Sequence, residues 1–354
     1  MSMQHRPFAG LGLALALVFT PNRAAAVSPG ATPAFQDCLA QVRQWGADLP
    51  QWVVYSAALG YAARKPAFDA GGYPRLGADG HQLAHQVLLT GRVFFPPDWR
   101  VADGSSLPLV VYAHGTELQK QACPSRFGGE EWPLGAAAAA AFGFAVAMPD
   151  LPGMGGDAGS FHPYCHAASL AYAIVDSIPA AVRLFTEDPY LVQHRLTWDG
   201  RLYLVGYSEG GYATLAAVKE VETHAAAYAA QAHFTLTGSA CMAGPFDLSG
   251  AMRTTFIDPV QGYPRSYYLP YFVRGYHGVY GPRLEPGAVF APSLLATRAD
   301  GNLLAWTDGT QDGLAVDAEV GKRLGMPPNA IDQATSWRAL SRARMARLRS
   351  GPQW

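Results

Sequence analysis

The chain has 354 residues, of which 49% are hydrophobic and 15% charged, and its formal charge is −1. That length and apolar content can bury a sizeable core, as one α/β domain with an insertion or as two domains. The near-neutral balance argues against nucleic acid as a partner and gives no electrostatic clue to a substrate.

The N-terminus reads as an address. His5 and Arg6 precede an apolar run from Leu11 to Thr20, and Ala24-Ala25-Ala26 supplies the small residues of a cleavage site. Residues 1–26 are therefore expected to be a cleavable signal peptide, which makes the mature protein secreted or periplasmic. The run is well short of the roughly 20 residues a membrane span needs, so no stable membrane span is expected here or elsewhere. Loss of Arg6 and Arg23 would take the charge to −3. Four cysteines follow: Cys38, Cys123, Cys165 and Cys241. In an oxidising compartment they allow two disulfides in three connectivities; Cys123 with Cys165 is the first pair to expect, with free thiols as the alternative.

The elements then alternate. Residues 86–95 and 107–113 are predicted strands, 132–141 a helix with six consecutive alanines, 142–148 a strand and 168–185 a helix. Residues 201–205 form the next strand. Strands alternating with helices imply a mostly parallel sheet covered on both faces.

That last strand runs into Gly206-Tyr207-Ser208-Glu209-Gly210-Gly211 and a helix-favouring segment, 212–222. A Gly-x-Ser-x-Gly between a strand and a helix is the context of a nucleophile elbow. A serine at so sharp a turn needs small neighbours two positions either side, and the helix N-terminus directs free N–H groups at a developing oxyanion. Ser208 is thus the candidate catalytic nucleophile. Its oxyanion hole is expected from the N–H of Glu209 and from the His114-Gly115-Thr116 loop, with Thr116 or Gly115 as donor and His114 structural. The loop 150–157 (DLPGMGGD) reads as a tight turn; no Lys-Ser or Lys-Thr follows to make it a phosphate cradle.

His81/His85 and His162/His166 are each spaced by four, yet neither pair carries the glutamate of a zinc-protease helix, and Pro163 interrupts the second. No metal and no organic cofactor is expected.

The segments YAHGT (112–116), MPDLPGMGG (148–156), FHPYCHA (161–167), LVGYSEGGYATLAAVKEVE (204–222) and CMAGPFDLSG (241–250) together resemble secreted α/β-hydrolases of the bacterial esterase and secretory-lipase type. The resemblance implies an α/β-hydrolase fold, mostly parallel with helices on both faces, and a cap insertion after the sixth strand. It divides the chain into a signal peptide (1–26), a core (27–250) and a cap with a C-terminal helical segment (251–354). It also implies a Ser-His-Asp triad that cleaves ester or lipid substrates through an acyl-enzyme.

The departure lies after residue 250. The aromatic stretch 263–282 resembles a cap that could line an acyl pocket, followed by a polar loop, 307–313, and an arginine-rich segment, 336–349. No histidine follows His277, and the final strands of the fold are not evident. The alternatives are a chain shortened by truncation or frameshift, a triad completed by Asp247 and His277, recruitment of His162, His166 or a partner chain, or no catalysis. In the last case the chain would be a secreted protein that binds hydrophobic ligands. Asp308 and Asp312 form a weaker acid candidate, and the arginine-rich segment reads as a solvated helix face.

Overall fold

The computed structural model describes residues 55–98, 100–231, 234–252, 266–290, 292–298 and 301–323. The proposed signal peptide, Cys38 and the arginine-rich segment lie outside them.

Six strands form one sheet: β1 (Ser56–Pro66), β2 (Ala84–Phe94), β3 (Ser106–Ala113), β4 (Ala145–Pro149), β5 (Thr197–Tyr207) and β6 (Thr235–Met242). Their spatial order is β1-β2-β4-β3-β5-β6. β2 runs antiparallel to both neighbours, whereas β4, β3, β5 and β6 are mutually parallel. Five longer helices accompany them: α1 (Trp132–Phe142), α2 (Ala167–Glu187), α3 (Glu209–Thr223), α4 (Tyr268–Tyr280) and α5 (Gly313–Arg323).

The side chains of β3 show why both faces need cover. Leu109, Val111 and Ala113 enter one core with Ile174 and Ala213 of α2 and α3, while Val110 and Tyr112 enter a second core with Ala136 and Ala139 of α1. Successive residues of a strand point to opposite faces, so a continuous apolar run is what a doubly covered strand requires. The alanine run of α1 has the same origin. The helix lies so close to the sheet that a Cβ on Gly135 would come within 2.4 Å of the Met148 sulfur.

Sequence and structure differ at several borders. Phe142 ends α1 instead of opening β4, because Gly143 follows in the left-handed conformation (φ 75°) and closes the helix. β1 escaped the sequence reading, yet it alternates inward Ala57, Leu59, Tyr61 and Ala63 with exposed residues. By length and composition α2 could cross a membrane, contrary to the expectation that no such segment exists. With 61% of its apolar window buried in the core it is a helix of the protein interior.

The described residues after β6 are mainly helical, and α4 packs on loops at the carboxyl edge of the sheet. α4 carries the aromatic stretch, and Tyr271, with partly buried Tyr267, Tyr268 and Phe272, packs on Leu118 and Tyr164 of the core loops. The end of α4 rests on the β1–β2 hairpin, where a Cβ on Gly72 would overlap the Tyr280 carbonyl, and in the turn that follows Arg283 lies 4.4 Å from the Tyr73 ring centre. α5 is pinned by buried Arg323, which donates to Glu319 and to the carbonyls of Leu294, Ala296 and Gly301.

Candidate active site

β5 ends at Tyr207 and α3 begins at Glu209, so the whole turn is made by Ser208, at φ 55° and ψ −121°. A residue with a side chain rarely occupies this region, and its presence marks backbone strain that the surroundings must hold in place. Three contacts do so. The Ser208 N–H donates to the Met242 carbonyl of β6 (2.9 Å), and the Tyr212 N–H donates to the Ser208 carbonyl (3.1 Å). The third is steric: a Cβ on Gly210 would sit 1.9 Å from the Ala113 oxygen and 2.6 Å from that of His114, so only glycine lets the loop after β3 approach the elbow this closely. A Cβ on Gly206 would likewise meet the Gly210 oxygen at 2.2 Å.

The loop 114–116 is therefore pressed against the elbow, as the sequence suggests. Gly115, one of its two donor candidates, is excluded: its N–H donates to the Glu131 carboxylate (3.0 Å), which also accepts from the Tyr112 hydroxyl (2.8 Å). The Thr116 N–H meets no acceptor among the described residues, and Glu209, as first residue of its helix, has no intrahelical acceptor for its own. Two backbone donors thus remain beside Ser208.

The side chain of Glu209 does something the sequence did not signal. It is 1% exposed and its Oε1 lies 2.7 Å from Nε2 of His162, whose Nδ1 is 2.6 Å from the Pro152 carbonyl. Burial pushes the His162 imidazole toward its neutral form, but the Glu209 carboxylate outweighs it and the net direction is upward. His114 goes the other way. Burial lowers its pKa, its Nδ1 is 2.8 Å from the Gly115 carbonyl, and its Nε2, like Oε2 of Glu209, is buried and meets no partner among the described residues.

No described histidine bonds the Ser208 hydroxyl. His166 caps α2, with Nδ1 2.8 Å from Ser169 Oγ, and burial lowers its pKa to about 4. His277 places Nδ1 on the carbonyls of Leu284 (2.9 Å) and Gly281 (3.1 Å) at the end of α4. Asp247 is exposed and accepts the N–H groups of Gly250 and Ala251 (both 2.8 Å), which hold its carboxyl below the usual range. The structure therefore does not bring Asp247 and His277 to Ser208. Asp308 and Asp312 are likewise used locally, bonding the N–H groups of Thr310 and Ala315. Cys123 and Cys165, the pair expected to bridge, are both buried and do not bond each other; among the described residues they and Cys241 are free thiols. Among the described residues no cluster of three or more His, Cys, Asp or Glu side chains is placed to hold a metal ion.

Comparison with known proteins bears on the fold that holds this arrangement. No protein-family model matches the chain, and no curated protein sequence does. Solved structures match well. A protein from Legionella pneumophila assigned as a hydrolase is 20% identical, with TM-score 0.58 over 89% of this chain and 72% of its own. The rice cell wall degrading esterase LipA from Xanthomonas oryzae is 24% identical, with TM-score 0.55 over 84% of this chain and 68% of its own. Its ligand-bound form covers 89% of this chain and 72% of its own at 22% identity and TM-score 0.56. The fold is that of the α/β-hydrolases. Within that fold, the strands and helices alternate along the chain and the sheet is mostly parallel, as the sequence reading expected.

Proposed function

We propose that this chain is an exported serine hydrolase of carboxylic esters, of esterase or lipase type, acting through an acyl-enzyme on Ser208. The observation that carries this reading is the φ 55° turn at Ser208 with the N–H groups of Glu209 and Thr116, which meet no acceptor among the described residues, beside it. Strain of this kind is held where function uses it, and two preorganised donors are what a tetrahedral oxyanion needs. The serine oxygen would attack the ester carbonyl while its proton passes to a base. The alcohol then leaves with a proton, and water releases the acid from the acyl-serine by the reverse steps. The aromatic face of the cap, with partly buried Tyr268 and Phe272, would receive the acyl group. Export by residues 1–26 is part of the proposal, as are the assignments of 27–250 as core and 251–354 as cap and C-terminal segment.

A second reading rests on a specific observation: no imidazole among the described residues bonds Ser208, which leaves its proton without an acceptor there. On that reading the chain is a hydrolase-fold protein that binds hydrophobic ligands without turning them over. Labelling by a fluorophosphonate separates the two. The esterase reading predicts rapid modification lost in Ser208→Ala, and equally slow labelling of both proteins would favour the binder.

A further inference from the structure

The polar groups around His162 form a continuous connection between the two backbone donors, and it runs through the cap. At one end, the Glu209 carboxylate belongs to the residue whose N–H is the first donor. It meets His162 at 2.7 Å, fully buried. The Pro152 carbonyl can only accept, so His162 Nδ1 carries a proton; the short contact to Glu209 holds a second proton between Nε2 and Oε1. His162 is thereby fixed at both ring nitrogens. The Tyr271 ring of α4 lies over it at 5.4 Å and 25°. The Tyr271 hydroxyl then donates to the Glu117 carbonyl (2.9 Å), in the residue after Thr116, the second donor. Tyr164 closes a parallel path: its hydroxyl is 3.2 Å from Thr116 Oγ1, and its ring centre is 4.9 Å from that of Tyr271.

The seating of α4 on this group is close. One turn beyond Tyr271, a Cβ on Gly275 would be 2.7 Å from the Tyr164 nitrogen and 3.1 Å from the His162 oxygen. The helix backbone therefore rests directly on the 162–164 loop.

We infer that Tyr271, His162 and Glu209 are a brace through which the cap helix holds the Thr116 and Glu209 N–H groups at fixed spacing. The inference rests on the esterase reading of the same site. None of the three side chains needs to touch the reacting atoms; they are positioning residues, and the cap is then part of the oxyanion hole's support as well as a cover for substrate. Preorganised donors gain their effect from being fixed before charge develops, so loosening them slows the chemical step and leaves ground-state binding in place.

The test is hydrolysis of p-nitrophenyl butyrate by the full-length protein and by Tyr271→Phe, Glu209→Ala, Glu209→Gln and the Tyr271→Phe/Glu209→Gln double variant, with Ser208→Ala alongside. Circular dichroism and Tm identify any variant that fails to fold. Glu209→Ala is expected to lose roughly 100-fold in kcat, the scale of a misplaced donor, with KM within about twofold. Tyr271→Phe keeps the ring and loses the bond to the Glu117 carbonyl, and should lose about tenfold in kcat at unchanged KM. Glu209→Gln, whose amide can donate to a neutral His162, should recover most of the activity lost in the alanine variant. The double variant should lose less than the product of the single losses, since both act on one structure. If the wild type is active and Tyr271→Phe or Glu209→Ala alters only KM, the brace is overturned and the esterase reading stands. If the wild type shows no turnover above Ser208→Ala, the esterase reading falls and the brace falls with it.

Discussion

The nucleophile elbow and the polar cluster behind it join at the adjacent residues Ser208 and Glu209, yet they are specified in different ways. At the elbow the residues that make the turn are local, although some of what they must fit is not. Gly206, Ser208, Gly210 and Gly211 stand within six residues, and the clashes that forbid side chains there involve the carbonyls of Ala113, Gly210 and Met242. In the cluster, Glu209 meets His162 47 positions away and Tyr271 reaches Glu117 across 154. The first region is a backbone shape, which a short pattern can encode. The second is an arrangement of charges that exists only after the sheet and cap have assembled.

The comparison can be broken first at the elbow. Gly210→Ala should cost about 3 kcal/mol, the upper end of ordinary overpacking, because the added carbon meets backbone oxygens that cannot move aside. Chemical denaturation would measure it, and a cost below about 1 kcal/mol would mean that the loop 113–114 is not held against the helix.

The second effect belongs to His166 and is pH-dependent. Its folded pKa of about 4 lies below the ordinary 6.5, so the unfolded chain takes up the proton first as pH falls. Its contribution to stability is complete above pH 6.5 and is lost progressively as pH falls toward 4. His166→Asn, which retains a capping acceptor, should flatten that acid limb by about 2 kcal/mol in denaturant titrations at several pH values. An unchanged limb would place the sensitivity elsewhere.

Glu117 gives a smaller effect of the opposite slope. Burial, with Glu131, Glu130 and Glu209 nearby, raises its carboxyl to about 7. A carboxyl raised in the folded state favours folding fully below its unfolded value near 4.5, and the advantage is lost as pH rises through 7. Glu117→Gln should therefore raise Tm at pH 8 by a few degrees and leave Tm at pH 4 nearly unchanged, because only the charged form is penalised. Equal shifts at both pH values would contradict this. The smallest effect is expected of His277→Ala: its ring bonds only carbonyls at the end of α4, so kcat should stay within about twofold in a p-nitrophenyl ester assay. A large loss in a folded protein would return His277 to the triad.

Much of the fold was legible because the central strands are buried on both faces, and a strand such as β3 reads as an apolar run bounded by loops. β1 was not read, since its apolar residues alternate with others instead of forming a continuous run; a test for period two over 56–66 would have found it. The cap's place followed from its aromatic stretch. Of the candidate site, the sharp turn at Ser208 was legible in a five-residue pattern, and the loop that approaches it in the segment after β3. The exclusion of Gly115 by Glu131, and the pairing of Glu209 with His162, depend on side chains brought together by tertiary structure. Only one signal was available in advance: a glutamate directly after the elbow serine, where burial against helix and sheet is expected, must find a partner or neutralise.

The most direct test of the account is hydrolysis of short- and long-chain p-nitrophenyl esters by the purified 27–354 protein beside Ser208→Ala. The account predicts turnover by the wild type and a loss of at least about 1,000-fold in the variant. Equal rates in both folded proteins, whether zero or measurable, would contradict it: the strained serine would then not be a nucleophile toward esters.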